Sequence, residues 1–277
     1  MPETFHERLR AAQERRQSLL CVGLDPDPAR FPEVVGNTAN TITAFNCAII
    51  EATHDLACCY KPNLGFYLPH GQAGIDALTQ LRDDVPADIP LLLDAKIGDI
   101  DTTTAAYAKA YFEAWRMDSV TVHPYMGKDS LQPLLDYQGH AVFVLAKTSN
   151  PGSGLLQDRR VADEGGSEPV SHVVTRHARE WNTHGNVGLV VGATYPHELA
   201  AIRAIAPALP ILVPGVGPQS GDLEAAVAAG LDADGYGILV NASRAISYAS
   251  AGPDYQDAAR AVAADLRTRI NAVRDME

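Results

Sequence analysis

Cysteine is scarce in this chain, with four among 277 residues, at positions 21, 47, 58 and 59. None forms a Cys-x-x-Cys pair, and no spacing resembles a zinc site. Cys21, Cys58 and Cys59 lie inside apolar runs and are expected as buried thiols of a reducing compartment. Long hydrophobic runs are also missing: none approaches the ~20 residues that span a bilayer. The N-terminal stretch MPETFHERLRAAQERRQS is polar and helical in pattern, without the apolar core of an export signal. The expected location is therefore the cytoplasm. Positive charge is the third deficit. Lys and Arg number 22 against 34 Asp and Glu, a net charge of -12. That field repels nucleic acid and anionic membranes. A small anionic substrate remains possible if a pocket gathers positive charge locally.

What is present is a regular alternation. Eight short apolar runs, 19–24, 56–61, 91–96, 119–123, 141–147, 187–192, 211–214 and 235–240, are separated by amphipathic segments at 38–54, 71–82, 103–115, 130–137, 170–183, 196–205, 222–229 and 254–274. The runs are continuously apolar rather than alternating, as parallel strands covered on both faces require. Eight strand-then-helix units predict a (β/α)8 TIM barrel of the α/β class, with a helix at 3–17 before it and one at 254–274 closing it. The length suits a single domain over 1–277. A doubly wound sheet fits less well, because no Gly-rich nucleotide turn follows the first strand. One irregular stretch, 150–168, is rich in Gly, Ser and charge; it reads equally as a lid or as a tolerated insertion.

Polar residues fall where the apolar runs end. Asp25 follows the first strand, Lys61 ends the second, Asp94 and Lys96 the third, His123 the fourth and Lys147 the fifth. In a barrel these ends share one mouth, the catalytic face. Residues two apart on a strand point the same way, so Asp94 and Lys96 are expected on a common face. Lys61 from the neighbouring strand and Asp99 from the following loop extend this to a four-charge network. As mere structure such a network gains little, since desolvation offsets most of the attraction between buried ions. A lysine among carboxylates is held as its ammonium form, a proton donor rather than an amine nucleophile. A fixed carboxylate opposes a bound anionic carboxylate, and the opposition ends when CO2 leaves. The carbanion left behind needs a nearby cation and then a proton, and Lys96 can supply both.

The other end of the ligand is marked by Pro214-Gly215-Val216-Gly217-Pro218-Gln219 and Asn241-Ala242-Ser243-Arg244, after strands seven and eight. Barrel phosphate sites are frequent there, and Arg244 suits bidentate contact with phosphate.

In order along the chain, Gly-Leu-Asp-Pro at 23–26, Tyr-Lys-Pro-Asn at 60–63, Asp-x-Lys-x-x-Asp-Ile-x-x-Thr at 94–103, Lys-Thr-Ser-Asn-Pro-Gly-Ser at 147–153, Pro-Gly-Val-Gly-Pro-Gln at 214–219 and Asn-x-Ser-Arg at 241–244 resemble the orotidine 5'-monophosphate decarboxylases, most of all their longer bacterial subfamily. The resemblance implies conversion of orotidine 5'-monophosphate to UMP and CO2 in pyrimidine biosynthesis, by a homodimer using no cofactor and no metal. It implies that Asp94 faces the substrate carboxylate, that Lys96 protonates the pyrimidine C6, and that Lys61 and Asp25 contact the ribose. Asp99 and Thr103 would reach into the partner's site, Ser149 would bond the pyrimidine, and Gln219 and Arg244 would hold the phosphate with Ser243 close by. His123 departs from the family pattern, which has Asn before Pro-Tyr-Met-Gly; it is read as a local packing or hydrogen-bonding change.

Three other readings fit parts of the sequence. A Mg2+-dependent sugar-phosphate decarboxylase or hexulose-phosphate synthase of the same superfamily shares Asp-x-Lys-x-x-Asp but needs an extra carboxylate as a metal ligand, and no acidic residue neighbours Lys61. A Schiff-base aldolase would use Lys147 or Lys96 and needs a lysine of lowered pKa. A non-catalytic nucleotide-binding barrel would bind UMP without turnover.

Overall fold

The computed structural model describes residues 3–163, 166–215 and 222–276. Eight parallel strands form one sheet: β1 (Leu20–Leu24), β2 (Cys59–Pro62), β3 (Leu92–Ile97), β4 (Ser119–Val122), β5 (Ala141–Lys147), β8 (Val187–Val191), β9 (Ile211–Pro214) and β10 (Ile238–Ala242). Their order is β2-β1-β10-β9-β8-β5-β4-β3. Single bridges pair Tyr60 with Leu91 and Asn63 with Asp94, bringing the two outer strands together. The sheet is thus a nearly closed barrel. The helices α2 (Ile42–Thr53), α3 (Gly71–Asp84), α4 (Asp101–Ala108), α5 (Lys128–Leu135), α6 (Val170–Trp181), α7 (Pro196–Ile205), α8 (Leu223–Gly230) and α10 (Tyr255–Arg274) alternate with the strands.

Continuous burial of the strands has two causes. Outward residues such as Val22, Leu93, Val120 and Val144 pack under the helices. Inward residues Cys21, Cys59, Leu92, Phe143, Val190, Leu212 and Leu239 form a second cluster inside the barrel. That cluster is completed by α1 (Phe5–Arg16), whose Phe5 and Leu9 are buried in it. Phe5 meets Phe143 edge to face, with centroids 5.8 Å apart. Gly188 makes room for the Phe143 ring, since a Cβ there would lie 2.5 Å from a ring carbon. A polar clamp holds α1 in place. Buried Asp118 accepts from Arg8 at 2.5 Å, from Arg82 at 2.9 Å and from the Leu91 N–H at 2.8 Å. The N-terminal helix therefore closes the end of the barrel from which the strands start. Among the described residues no helix is long and apolar enough to cross a membrane.

Several sequence expectations need correction. The eighth strand begins at Ile238, not at 235, because Gly235 and Gly237, with left-handed φ values of 74° and 77°, turn the chain before its ladder with β9 begins. The second strand starts at Cys59, since 54–58 form the turn after α2. The helix expected from 103 begins at Asp101 and continues beyond Ala108 as a wider π-helical stretch, Lys109–Ala114. A short helix, α9 (Arg244–Ser247), was missed because four residues carry no periodicity. The stretch 150–168 is not irregular throughout. It holds a 3-10 turn, Ser153–Leu155, and an antiparallel strand pair, β6 (Arg160–Asp163) with β7 (Gly166–Pro169).

Candidate active site

At the barrel mouth β2, β3 and β4 bring one carboxylate and two lysines together. Asp94 is the hub. Its Oδ2 accepts from Lys61 Nζ at 3.1 Å and from Asn63 Nδ2 at 3.1 Å. Its Oδ1 accepts from Lys96 Nζ at 2.5 Å and from the Thr121 hydroxyl at 2.9 Å. The two lysines differ in exposure. The Lys61 side chain is 3% exposed and that of Lys96 is 46% exposed. Lys61 thus neutralises Asp94 from below, while Lys96 faces the open mouth.

The common face of Asp94 and Lys96 does not arise from plain strand alternation. The β3–β4 pairing shifts register between Leu93 and Ile97, and Lys96 has a left-handed φ of 49°. A lysine in that region is strained, a condition that surrounding structure must enforce. Thr121 enforces it, accepting from the Lys96 N–H at 2.9 Å while donating to Asp94. The bulge turns the Lys96 ammonium back onto Asp94. Asn63 and Thr121 were missed by sequence reasoning. Each had a signal: Asn63 lies two residues beyond Lys61 on the same side of β2, and Thr121 is a polar residue in the middle of an apolar strand.

Asp99 does not join the network within one chain. Its Oδ1 accepts from the Ile100 N–H at 2.8 Å, and its carbonyl accepts from the Thr104 hydroxyl at 2.7 Å. The expected four-charge cluster is therefore a three-charge one, because the turn at Gly98 carries Asp99 off the strand end to the start of α4. The turn is tight. A Cβ on Gly98 would come within 2.0 Å of the His123 ring. This is the place of His123: its imidazole packs against the turn, and its backbone N–H donates to the Ile97 carbonyl at 2.9 Å. Thr103 is exposed on α4.

Charges set the ionisation of the hub. Burial opposes ionisation of Asp94, yet the Lys61 and Lys96 ammonium groups and the Thr121 hydrogen bond outweigh it and hold the carboxyl at about 2. For Lys61 burial favours the neutral amine, but Asp94 and then Asp25 reverse this and raise it above the ordinary lysine value. Asp25 is thus close enough to act on Lys61, and its Oδ1 is buried without a partner. A carboxyl held below its unfolded value of 3.8 stabilises the fold above that pH and loses the contribution as pH falls through about 2. A drop of nearly two units corresponds to about 2 kcal/mol. The protein's stability to denaturant should therefore fall between pH 4 and 2. Asp94→Asn should flatten that slope; an unchanged slope would remove Asp94 as its source.

Ser149, after β5, sits against the ends of β8 and β9. A Cβ on Gly192 would lie 2.8 Å from Ser149 Cβ, and one on Gly215 would lie 3.5 Å from its Oγ. Ser243 follows β10 and packs on Gly23 of β1, where a Cβ would fall 1.8 Å from its Oγ. Glycine at 23 is therefore what lets Ser243 come down onto the mouth. Arg244 begins α9 and is exposed. Gln219 lies outside the described residues. Lys147 is buried and ion-paired with Asp158 at 2.5 Å, so its amine is not presented to a carbonyl substrate. Among the described residues no three His, Cys, Asp or Glu side chains group as metal ligands. A cavity of about 310 Å³ lies beside α1, at the far end. Its arginines are already engaged, Arg8 by Asp118 and Arg15 by Asp88, leaving it no spare positive charge for an anion.

Known proteins resemble this chain over nearly its whole length. Residues 18–262 match the family model described as Orotidine 5'-phosphate decarboxylase / HUMPS family. The orotidine 5'-phosphate decarboxylase of Thermomicrobium roseum is 51% identical over 272 residues, covering 98% of this chain and 96% of the relative. That of Roseiflexus castenholzii is 50% identical, covering 97% of each. Among solved structures, Leishmania donovani OMP decarboxylase superposes with a TM-score of 0.86 at 44% identity, covering 98% of this chain and 99% of the other. Matches of this extent, from the first strand of the barrel into its last helix, establish that the chain belongs to the orotidine 5'-phosphate decarboxylase / HUMPS family.

Proposed function

We propose that this protein decarboxylates orotidine 5'-monophosphate to UMP and CO2, the reaction that gives its relatives their name. The observation that carries the proposal is the Lys61–Asp94–Lys96 chain at the barrel mouth, with a buried cation, a strongly acidic carboxyl and an exposed ammonium in line. The substrate carboxylate lies beside Asp94, which stays charged and opposes it. The bond from C6 to the carboxylate breaks, CO2 leaves, and the electron pair remains on C6. Lys96 stabilises that carbanion by proximity and then transfers a proton to C6, regaining one from solvent. The donor is fixed before reaction by Thr121 and Asp94, so little reorganisation is needed as charge develops. Asp25 and Lys61 contact the ribose and Ser149 the pyrimidine. Gln219, Arg244 and Ser243 hold the phosphate.

Asp99 and Thr103 act in the site of a partner subunit. Supporting this, Asp99 is left out of its own chain's network, and Ile100, Tyr107, Tyr125 and Met126 nearby are exposed large apolar side chains, the kind of surface a second copy covers. The working unit is then a homodimer of barrels, each chain a single domain over 1–277, in the cytoplasm.

The test is loss of orotidine 5'-monophosphate absorbance, with and without EDTA. Turnover unaffected by EDTA is expected, because the step needs only the protein's own charges. Activity lost to EDTA and restored by Mg2+ would instead favour a sugar-phosphate type of chemistry.

A further inference from the structure

Lys147 is the one lysine of the barrel mouth that the proposed chemistry leaves without a task. It ends β5 with a side chain 1% exposed, yet its partner Asp158 comes from the loop beyond and is 53% exposed. The ammonium also lies 4.8 Å above the Tyr195 ring, which follows β8. Between the two ends of the ion pair the chain is tied to itself. The Thr148 N–H donates to Gln157 Oε1 at 2.9 Å, Gln157 Nε2 donates to the Thr148 hydroxyl at 2.9 Å, and the Thr148 hydroxyl donates to Asn150 Oδ1 at 2.6 Å. Gly154 leaves room for Asp158, since a Cβ there would lie 2.8 Å from its Oδ2. Ser149 is therefore inside a closed ring: strand end, loop, and back to the strand end through Asp158 and Lys147.

The asymmetry of burial says which way the pair works. A buried ammonium without its counter-ion is strongly unfavourable. The strand cannot move, so the loop must supply the carboxylate. We infer that the Lys147–Asp158 ion pair is a positioning device that clamps the 150–158 loop to the end of β5 and so fixes Ser149 for the pyrimidine. Lys147 touches no reacting atom; it acts through Asp158. The inference rests on the reading of Ser149 as a substrate contact.

Three variants test it: Asp158→Ala, the pair Lys147→Met with Asp158→Ala, and Ser149→Ala. Steady-state kinetics on orotidine 5'-monophosphate, thermal melts and amide hydrogen exchange over 148–158 are measured on each. Asp158→Ala should raise KM about five- to tenfold, the worth of one well-placed hydrogen bond, with a smaller change in kcat, faster exchange in the loop and a lower melting temperature. The double variant removes the stranded charge. Its melting temperature should recover while its KM and loop exchange stay altered, a split that a purely stabilising pair would not give. Recovery of KM together with stability would overturn the clamp, as would a wild-type KM and wild-type exchange in Asp158→Ala. Ser149→Ala keeps the two readings apart. If it raises KM and Asp158→Ala does not, the clamp fails. If it is silent while Asp158→Ala loosens the loop and raises KM, the clamp stands and the role of Ser149 falls.

Discussion

Lys96→Ala should abolish turnover while leaving UMP binding nearly intact. Two effects vanish with the ammonium. A positioned proton donor is worth about 10²–10⁴-fold, and a fixed charge beside a developing anion is worth about 10²–10³-fold. Together they put the expected loss of kcat at no less than about 10⁴-fold. The fold should survive, because the Lys96 side chain is half exposed and Asp94 keeps Lys61, Asn63 and Thr121. The left-handed φ at position 96 strains alanine as it strains lysine, so the substitution leaves the backbone cost unchanged. UMP has no carboxylate at C6, so it loses little when Lys96 goes. Stabilisation of the variant by UMP in thermal melts measures binding separately from activity. Retention of more than a tenth of the activity would remove Lys96 as proton donor.

Mixing two dead proteins should restore life to some sites. If Asp99 serves the neighbouring subunit, Asp99→Ala homodimers lack it in both sites, and Lys96→Ala homodimers lack the donor in both. A mixed dimer rebuilds one complete site, with Lys96 from one chain and Asp99 from the other. Its second site lacks both. Random exchange of equal amounts gives half mixed dimers, and therefore about a quarter of the wild-type sites, as two-fold symmetry requires. The geometry motivates the experiment. Within one chain the Asp99 carboxylate turns to the Ile100 N–H at the start of α4, not to Lys96. No recovery after exchange has been verified by mass would mean that Asp99 works only in its own chain, or not in the site at all.

The barrel was legible in the sequence because parallel strands leave a plain record. Val22, Leu93 and Val144 face the helices and Cys21, Leu92 and Phe143 face the axis, so both sets must be apolar and the runs are unbroken. The site was legible because Lys61, Asp94 and Lys96 interrupt those runs where burial should continue. What could not be read was geometry that departs from ideal elements. Alternation predicted the right neighbour for Lys96 by the wrong route, since it takes no account of a bulge or of a left-handed residue. Asp99 was grouped with Lys96 by closeness in sequence, but one glycine turn was enough to part them. Thr121 and Asn63 are uncharged, and hydrogen bonds from neutral side chains leave little trace in a pattern of charges. The β6–β7 pair was hidden by composition, because Arg160, Val161, Ala162, Gly166 and Ser167 are exposed and Glu168 and Pro169 only half-buried, which leaves no buried face to impose alternation.

The helix that closes the far end makes the reaction chamber blind. With Phe5 seated on Phe143 and Arg8 clamped to Asp118, nothing can drain through the barrel axis. Under the proposed chemistry, gas, nucleotide and the water that recharges Lys96 must all use one opening, and they must do so in sequence. In that reading CO2 is released beside Asp94. Its escape and the return of a proton to Lys96 are then traffic problems at a single entrance, and shortening Phe5 alone would open no second one, because Phe143, Leu92 and Leu239 still fill the axis.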